Sequence, residues 1–340
     1  MKGESSSDLD WLSGLQFSVL TITLQAVTDL LLPPFLGSTF RGVFGTALKR
    51  VVCIRDLKDC EHCPLRQSCP YVRLFEPLNP LSWLQTSHVS PPFVLTLPKQ
   101  RHGSVPAGTY LTFQLVTIGW ATEYLPYFVA AWQRAGREMG VGKGRSRGMG
   151  RFEISAITDG LASGERLLYE GWRGLLLSSP VVRTAADCSA GKEREIALRT
   201  IFRTPVRLQS EGHLLGRHSV EEFGAGKLLE AAYRRLYILA ACYGMEDLPP
   251  LHLPEFPDDP ALYENVRWQE WKRYSNRQRT HMRLGGIVGE MVLGRQYQPW
   301  FPLLRACSVL HVGKATSFGF GQIECQGLMR PAHVGGVVRE

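Results

Sequence analysis

The chain opens its folded part with alternating apolar and polar positions. Over 15–24, Ser18, Leu20, Ile22 and Leu24 fall on one side of an extended segment, the period-two pattern of a strand with one buried face. Gly37-Ser38-Thr39 then supplies a helix start before Phe40, Phe44, Leu48 and Val51, which draw one apolar stripe at helical spacing. Two further strands are predicted over 93–97 and 110–118, a helix over about 122–139 carrying Leu125, Phe128, Val129 and Trp132, and a strand over about 151–157. The remainder repeats that order: a strand over 195–203, a long helix over 220–242 and a hairpin over about 272–293 turning at Gly285-Gly286. A helix over 299–310 and a strand over 322–325 complete it.

Each half thus reads strand–helix–strand–strand–helix–strand, the split β-α-β order of ferredoxin-like domains. A sequence repeat points the same way. Val141-Gly142-Lys143-Gly144-Arg145-Ser146-Arg147-Gly148-Met149-Gly150-Arg151-Phe152-Glu153 and Val312-Gly313-Lys314-Ala315-Thr316-Ser317-Phe318-Gly319-Phe320-Gly321-Gln322-Ile323-Glu324 share V-G-K-x-x-S-x-G-x-G-x-x-E, 171 residues apart. The expected architecture is α+β: two tandem ferredoxin-like, RRM-like domains, divided as 1–160 and 161–340. Glycine in these loops serves tight turns and close packing. A second role is also open, in which exposed N–H groups beside Lys143 or Lys314 approach a phosphate chain. Position 137 is Arg and position 308 is Ser, so neither loop satisfies the P-loop pattern of nucleotide hydrolases.

Charge changes the picture more than composition does. The net charge is +8 and the sequence pI near 9.1, which favours an anionic partner. The cations gather in two segments: Arg134, Arg137, Lys143, Arg145, Arg147 and Arg151, then Arg267, Lys272, Arg273, Arg277, Arg279 and Arg283. Such clusters without an opposing apolar face suit RNA better than a membrane surface. Lys143, Arg145, Arg147, Lys314, Arg273 and Arg277 are the candidate RNA contacts. Trp268, Trp271 and Tyr274 beside the second cluster either stack on bases or, as the preferred expectation, pack into the core. No apolar run is long enough to span a membrane and the start lacks a secretory layout, so a cytoplasmic protein is expected.

Four of the eight cysteines, Cys53, Cys60, Cys63 and Cys69, lie close together as C-x6-C-x2-C-x5-C. In an intracellular protein this grouping points to metal rather than disulfides. Zinc is the preferred occupant and an iron–sulfur cluster the alternative, in an insertion at about 53–70; a full set of four thiolates leaves no open position for catalysis. His62 is a further ligand candidate, while Cys188, Cys242, Cys307 and Cys325 stand apart as core residues.

Several segments together resemble a known family. Gly37 through Cys53, Tyr71 through Phe75-Glu76, Gly140 to Phe152, Arg203 to Leu208, Arg273-Tyr274-Ser275 with Arg277-Gln278, Gly285 to Glu290 and His311 to Gly321 are similar to the CRISPR repeat-cleaving endoribonucleases, the sixth numbered Cas family of the RAMP superfamily. The resemblance implies paired ferredoxin-like domains that bind the repeat of a CRISPR precursor RNA and cut it. It implies attack by a ribose 2′-hydroxyl on the adjacent phosphate with no catalytic metal, and other CRISPR effector subunits as further partners. Such chemistry calls for a base, an acid and a cation. The family's helical histidine is matched here by Thr46, which cannot act as a base. Arg41 and Lys49 on the same helix would meet phosphate, and His311 or His281 would have to replace the base. A non-catalytic RNA-binding subunit is the alternative.

Overall fold

The computed structural model describes residues 7–54, 60–97, 103–164, 166–190, 194–210, 213–244, 247–275 and 280–329, with the side chains of 210, 219, 272–275 and 280–283 left undescribed. In the first half, β1 (Gln16–Ala26) leads to α1 (Gly37–Val52) and the short α2 (Pro70–Phe75). Next come β2 (Phe93–Thr96), β3 (Tyr110–Ile118), α3 (Leu125–Arg134) and β4 (Phe152–Asp159). These strands stand in the order β2-β3-β1-β4, with antiparallel neighbours throughout. The sheet continues through β5 (Leu167–Glu170) and β6 (Leu175–Leu176), and β7 (Arg183–Thr184) pairs with the start of β1. The first sheet therefore extends past residue 160, where the sequence places the division between halves. Those added strands are only two to four residues long, too short to show a period.

The second half contains β8 (Ala197–Val206), α4 (Ala225–Tyr243), β9 (Tyr263–Ser275), β10 (Thr280–Leu293), α5 (Phe301–Leu310) and β11 (Ile323–Leu328). Its strand order, β9-β10-β8-β11, repeats that of the first half, so the fold is α+β with two ferredoxin-like units in tandem. One correction concerns the hairpin. Its strands pair through Ser275 and Thr280, and Gly285-Gly286 lie inside β10 rather than at a turn. A Cβ on Gly285 would sit 2.2 Å from the Trp268 ring, and one on Gly286 would sit 2.6 Å from the Val206 carbonyl oxygen. Here glycine makes room for a neighbour across the sheet.

Alternation along β1 explains how the halves join. Leu20, Ile22 and Leu24 enter a core with Phe40, Phe44, Phe128 and Trp132 of α1 and α3. Phe17 and Val19 instead pack with Leu228, Leu236 and Leu303 of the second half. Val94, Val116 and Ile118 do the same from β2 and β3. One end of the first sheet is thus buried on both faces, and burial of this extent ties the halves together.

Candidate nucleic-acid interface

Both glycine loops are built on one plan. The chain turns back after the helix so that Val141 N–H donates to Gly150 O (2.8 Å), as Val312 N–H does to Gly321 O (2.9 Å). Each loop then hooks onto the backbone at or just beyond the end of the first strand of its half. Lys143 N–H donates to Leu31 O, Lys314 N–H to Arg207 O, Gly150 N–H to Asp29 O and Gly321 N–H to Pro205 O, all at 2.9–3.0 Å. A threonine hydroxyl closes the exit, Thr28 accepting from Arg151 N–H and Thr204 from Gln322 N–H, both at 2.9 Å. Five positions in each loop have positive φ: 140, 142, 144, 148 and 150, matched by 311, 313, 315, 319 and 321. At Gly321 the requirement is absolute, since a Cβ would lie 1.9 Å from Val312 O. Many loop N–H groups therefore donate within the protein, which corrects the expectation that the loop backbone presents its donors to phosphate. In the first loop the side chains are what face outward.

Around that shared backbone the two loops differ. Lys143, Arg145 and Arg147 are all exposed, and a Cβ on Gly148 would touch nothing. Thr316 and Ser317, at the stations of Arg145 and Ser146, are buried, because α1 and β2 of the first half close over them. A Cβ on Gly37 would strike Phe318 O, and Phe35 packs on Phe320 with ring centroids 4.9 Å apart. Lys314 alone remains exposed on the second loop.

His311 is the main correction. It opens the second loop as expected, but it is fully buried at the junction and does not face RNA. Its Nδ1 lies 2.9 Å from Phe320 O, which can only accept, so Nδ1 carries the proton. Nε2, 3.1 Å from Thr96 Oγ1, then accepts from that hydroxyl. Burial lowers its pKa to about 3, against the opposing effect of the Phe320 carbonyl. Both ring nitrogens are occupied and the imidazole is neutral at ordinary pH. It is a strut between halves.

On α1, Arg41 and Lys49, which the sequence offers to phosphate, share with Gly45 a face that packs against α2. The Arg41 guanidinium sits 5.2 Å from the centroid of Phe75 and 4.4 Å from that of Phe318, and its Nε donates to Ser317 Oγ at 3.1 Å. Gly45 is buried beneath the Phe75 ring, and Lys49 Nζ lies 5.3 Å from the centre of Tyr71. Arg41 and Lys49 stay partly exposed, with their cations engaged by rings. Thr46 is exposed and turns its hydroxyl back to Gly42 O at 2.9 Å.

The remaining candidates are placed less fully. Arg273 and His281 lie far out on the β9–β10 hairpin, opposite Met282 and Tyr274 respectively, and their side chains are outside the described set. Arg277 lies outside the described residues altogether. Trp271 stacks toward Phe35 at 6.0 Å and Trp268 packs on the second core, in line with a packing role for both. Cys53 ends α1 and Cys69 caps the start of α2, with turns at Cys60 and Cys63 between them. All four cysteines are partly exposed. Among the described residues, no three or more His, Cys, Asp or Glu are grouped closely enough to hold a metal ion.

Sequence reasoning missed Arg207, Arg234 and Arg235, which line a cleft with Lys314 between α4 and the second loop. Arg235 is buried and caps α5, donating to Leu310 O and His311 O at 3.0 Å; burial lowers its pKa to about 10, so it stays charged at neutral pH. Adjacent arginines on a long helix carry no mark of which one turns inward.

The chain is similar to several known proteins. Residues 201–323 match the family model described as CRISPR-associated endoribonuclease Cas6. Residues 15–181 match another, described as the AF_1859_N N-terminal domain. An uncharacterised protein of Archaeoglobus fulgidus is 27% identical, over 58% of this chain and 68% of its own length. A chain of a partial Cas6-RT-Cas1–Cas2 complex superposes with a TM-score of 0.53 at 11% identity, covering 96% of this chain; the match spans about half of that longer chain, 49%. A Cas6 product complex gives 0.49 at 14% identity, covering 91% of this chain and 100% of that one. No helix among the described residues is long and apolar enough to cross a membrane.

Proposed function

We propose, from the match of residues 201–323 to the model described as CRISPR-associated endoribonuclease Cas6, that this protein binds the repeat of a CRISPR precursor RNA and cleaves within it. The observation that carries the proposal is the paired loop architecture inside a Cas6-family match: two copies of one backbone trap, the first presenting Lys143, Arg145 and Arg147 to solvent. Cations on a fixed loop are suited to a phosphate chain. Cleavage proceeds by attack of a ribose 2′-hydroxyl on the neighbouring phosphate, leaving a cyclic phosphate and a 5′-hydroxyl. Arg41 and Lys49 supply positive charge along α1, and His281 on the hairpin is the remaining proposed base, since His311 is sealed.

A second function is favoured by a specific observation. Thr46 is exposed where the family resemblance expects a histidine, and His311 is inaccessible. A protein that holds repeat RNA within a larger effector assembly, without cutting, would look like this. Labelled repeat RNA incubated with the protein in EDTA separates the two. Cleavage blocked by a single 2′-deoxy substitution is expected for the enzyme, and tight binding without product would establish the holding role. A structural zinc on Cys53, Cys60, Cys63 and Cys69 belongs to the same proposal, supported by their spacing and by two of them terminating α1 and capping α2. Cys60→Ser is expected to lower the melting temperature while leaving the cleavage rate of folded protein unchanged; native protein without bound zinc or iron would exclude the metal.

A further inference from the structure

From the cleft between α4 and the second glycine loop, we infer a dedicated binding site for a backbone phosphate of the repeat RNA, formed by Arg207, Arg234 and Lys314. The inference rests on the RNA-binding function proposed above and adds to it a site away from the exposed first loop. The cleft is open to solvent on one side and has a cavity volume of about 120 Å³. Its floor is apolar, with Ala231, Ile238 and Leu239 of α4. Glu230 is the one acid among its lining residues, and it already accepts from Arg234 Nη2 at 3.1 Å.

Three features argue for an anion. The first is that Arg207 and Lys314 are held side by side by the backbone, because Lys314 N–H donates to Arg207 O. Their proximity is fixed before any ligand arrives, so no further ordering of the backbone is needed on binding. A second feature is that the cations meet at a cost. Lys314 reaches solvent, yet partial desolvation beside the cleft draws it below the usual ammonium range, and Arg207 and Arg234 add to the shift. A phosphate placed among them relieves that repulsion and accepts charge-assisted hydrogen bonds. The third is that the repeat does not require the arrangement. At the station of Arg207 the first half carries Leu31, which makes the same backbone bond without a charge. The cation pair belongs to the second loop only. An apolar floor beneath charged walls suits a ribose-phosphate unit better than an isolated ion.

The test is fluorescence anisotropy with labelled repeat RNA over a range of potassium chloride, for wild type, Arg234→Ala, Arg234→Lys and Arg207→Ala, with Lys143→Ala as the reference at the first loop. Arg234 is half exposed on α4, so its removal leaves the fold intact, as thermal melts will verify. Arg234→Ala and Arg207→Ala are each expected to weaken binding about tenfold and to lower the salt slope by about 1. Arg234→Lys should retain most of the slope. Unchanged affinity and slope in both alanine variants, with loss in Lys143→Ala, would overturn the cleft site while leaving RNA binding in place. A wild type that does not bind repeat RNA at all would bring down the proposed function itself. Binding of a poly-glutamate peptide that disappears in Arg234→Ala while RNA affinity is unchanged would assign the cleft to an acidic protein partner and overturn the inference.

Discussion

Lys143 and Lys314 occupy the same backbone station, each donating its N–H to a carbonyl following the first strand of its half, yet they live in different surroundings. Beyond Lys143 the loop carries Arg145, Ser146 and Arg147 into solvent, whereas beyond Lys314 it carries Thr316 and Ser317 into the junction between halves. The backbone trap is therefore one device put to two uses. In the first half it displays side chains, and in the second it fastens one half to the other. Gly140 and His311 make the contrast sharpest. Both stand at a positive φ that glycine adopts freely, and the second half accepts the strain of a histidine there to gain one hydrogen bond across the junction, with Thr96, and one within its own loop, to Phe320 O.

The largest test of this contrast compares Gly319→Ala with Gly148→Ala, which occupy the same station in the two loops. Both positions have positive φ, 81° and 77°, so each substitution carries the backbone penalty of a non-glycine residue, about 1–2 kcal/mol. Only Gly319 adds crowding, since its Cβ would lie 3.0 Å from Leu95 O and 3.0 Å from the Leu97 side chain of the first half. Urea denaturation should show Gly319→Ala destabilised by about 3 kcal/mol, and Gly148→Ala by no more than its backbone term. Equal losses would mean that the two loops share their packing as well as their geometry.

A smaller effect follows from the strut. His311 binds a proton near pH 3 in the folded protein, against 6.5 for an unperturbed imidazole. Between those values the unfolded chain holds more protons than the native one, so stability rises with pH there and is complete above the unfolded value. Below pH 6.5 this residue alone should remove about 1.4 kcal/mol per pH unit. His311→Gln lacks the titration, so the gap between wild type and variant measured at pH 7 should narrow as the pH falls. A gap independent of pH would place the imidazole in water.

The order of elements was legible because each half carries its own apolar period: Phe40, Phe44 and Leu48 for α1, and Leu20, Ile22 and Leu24 for β1, emerge as the faces they predict. The glycine loops were legible because positive φ and close approach restrict the residue type. What they close upon was not. Residues 27–31 and 203–207 play the same part through carbonyl oxygens, which every residue has, and only Thr28 and Thr204 match between them. Burial of His311 depends on Thr96, far away in sequence, so its neighbour Lys314 was a misleading guide to exposure. Gly285-Gly286 misled for a related reason: a pair of glycines looks the same whether it turns the chain or admits a tryptophan ring.

Functionally the contrast reduces to cations that can be removed without touching the fold. Arg145 and Arg147 are exposed, and neither has an ion-pair partner among the described residues. Arg145→Ala and Arg147→Ala should leave the urea midpoint unchanged, weaken repeat RNA by less than about tenfold each, and lower the salt slope by about 1 each if both meet phosphates. Arg41→Ala is the informative counterpart, because its guanidinium lies against Phe318 and donates to Ser317. Its loss should shift the melting temperature through the junction even with no RNA present. A variant that alters RNA affinity without altering stability would place Arg41 with the first loop's cations, and the division between displaying and fastening would then pass through α1 rather than between the loops.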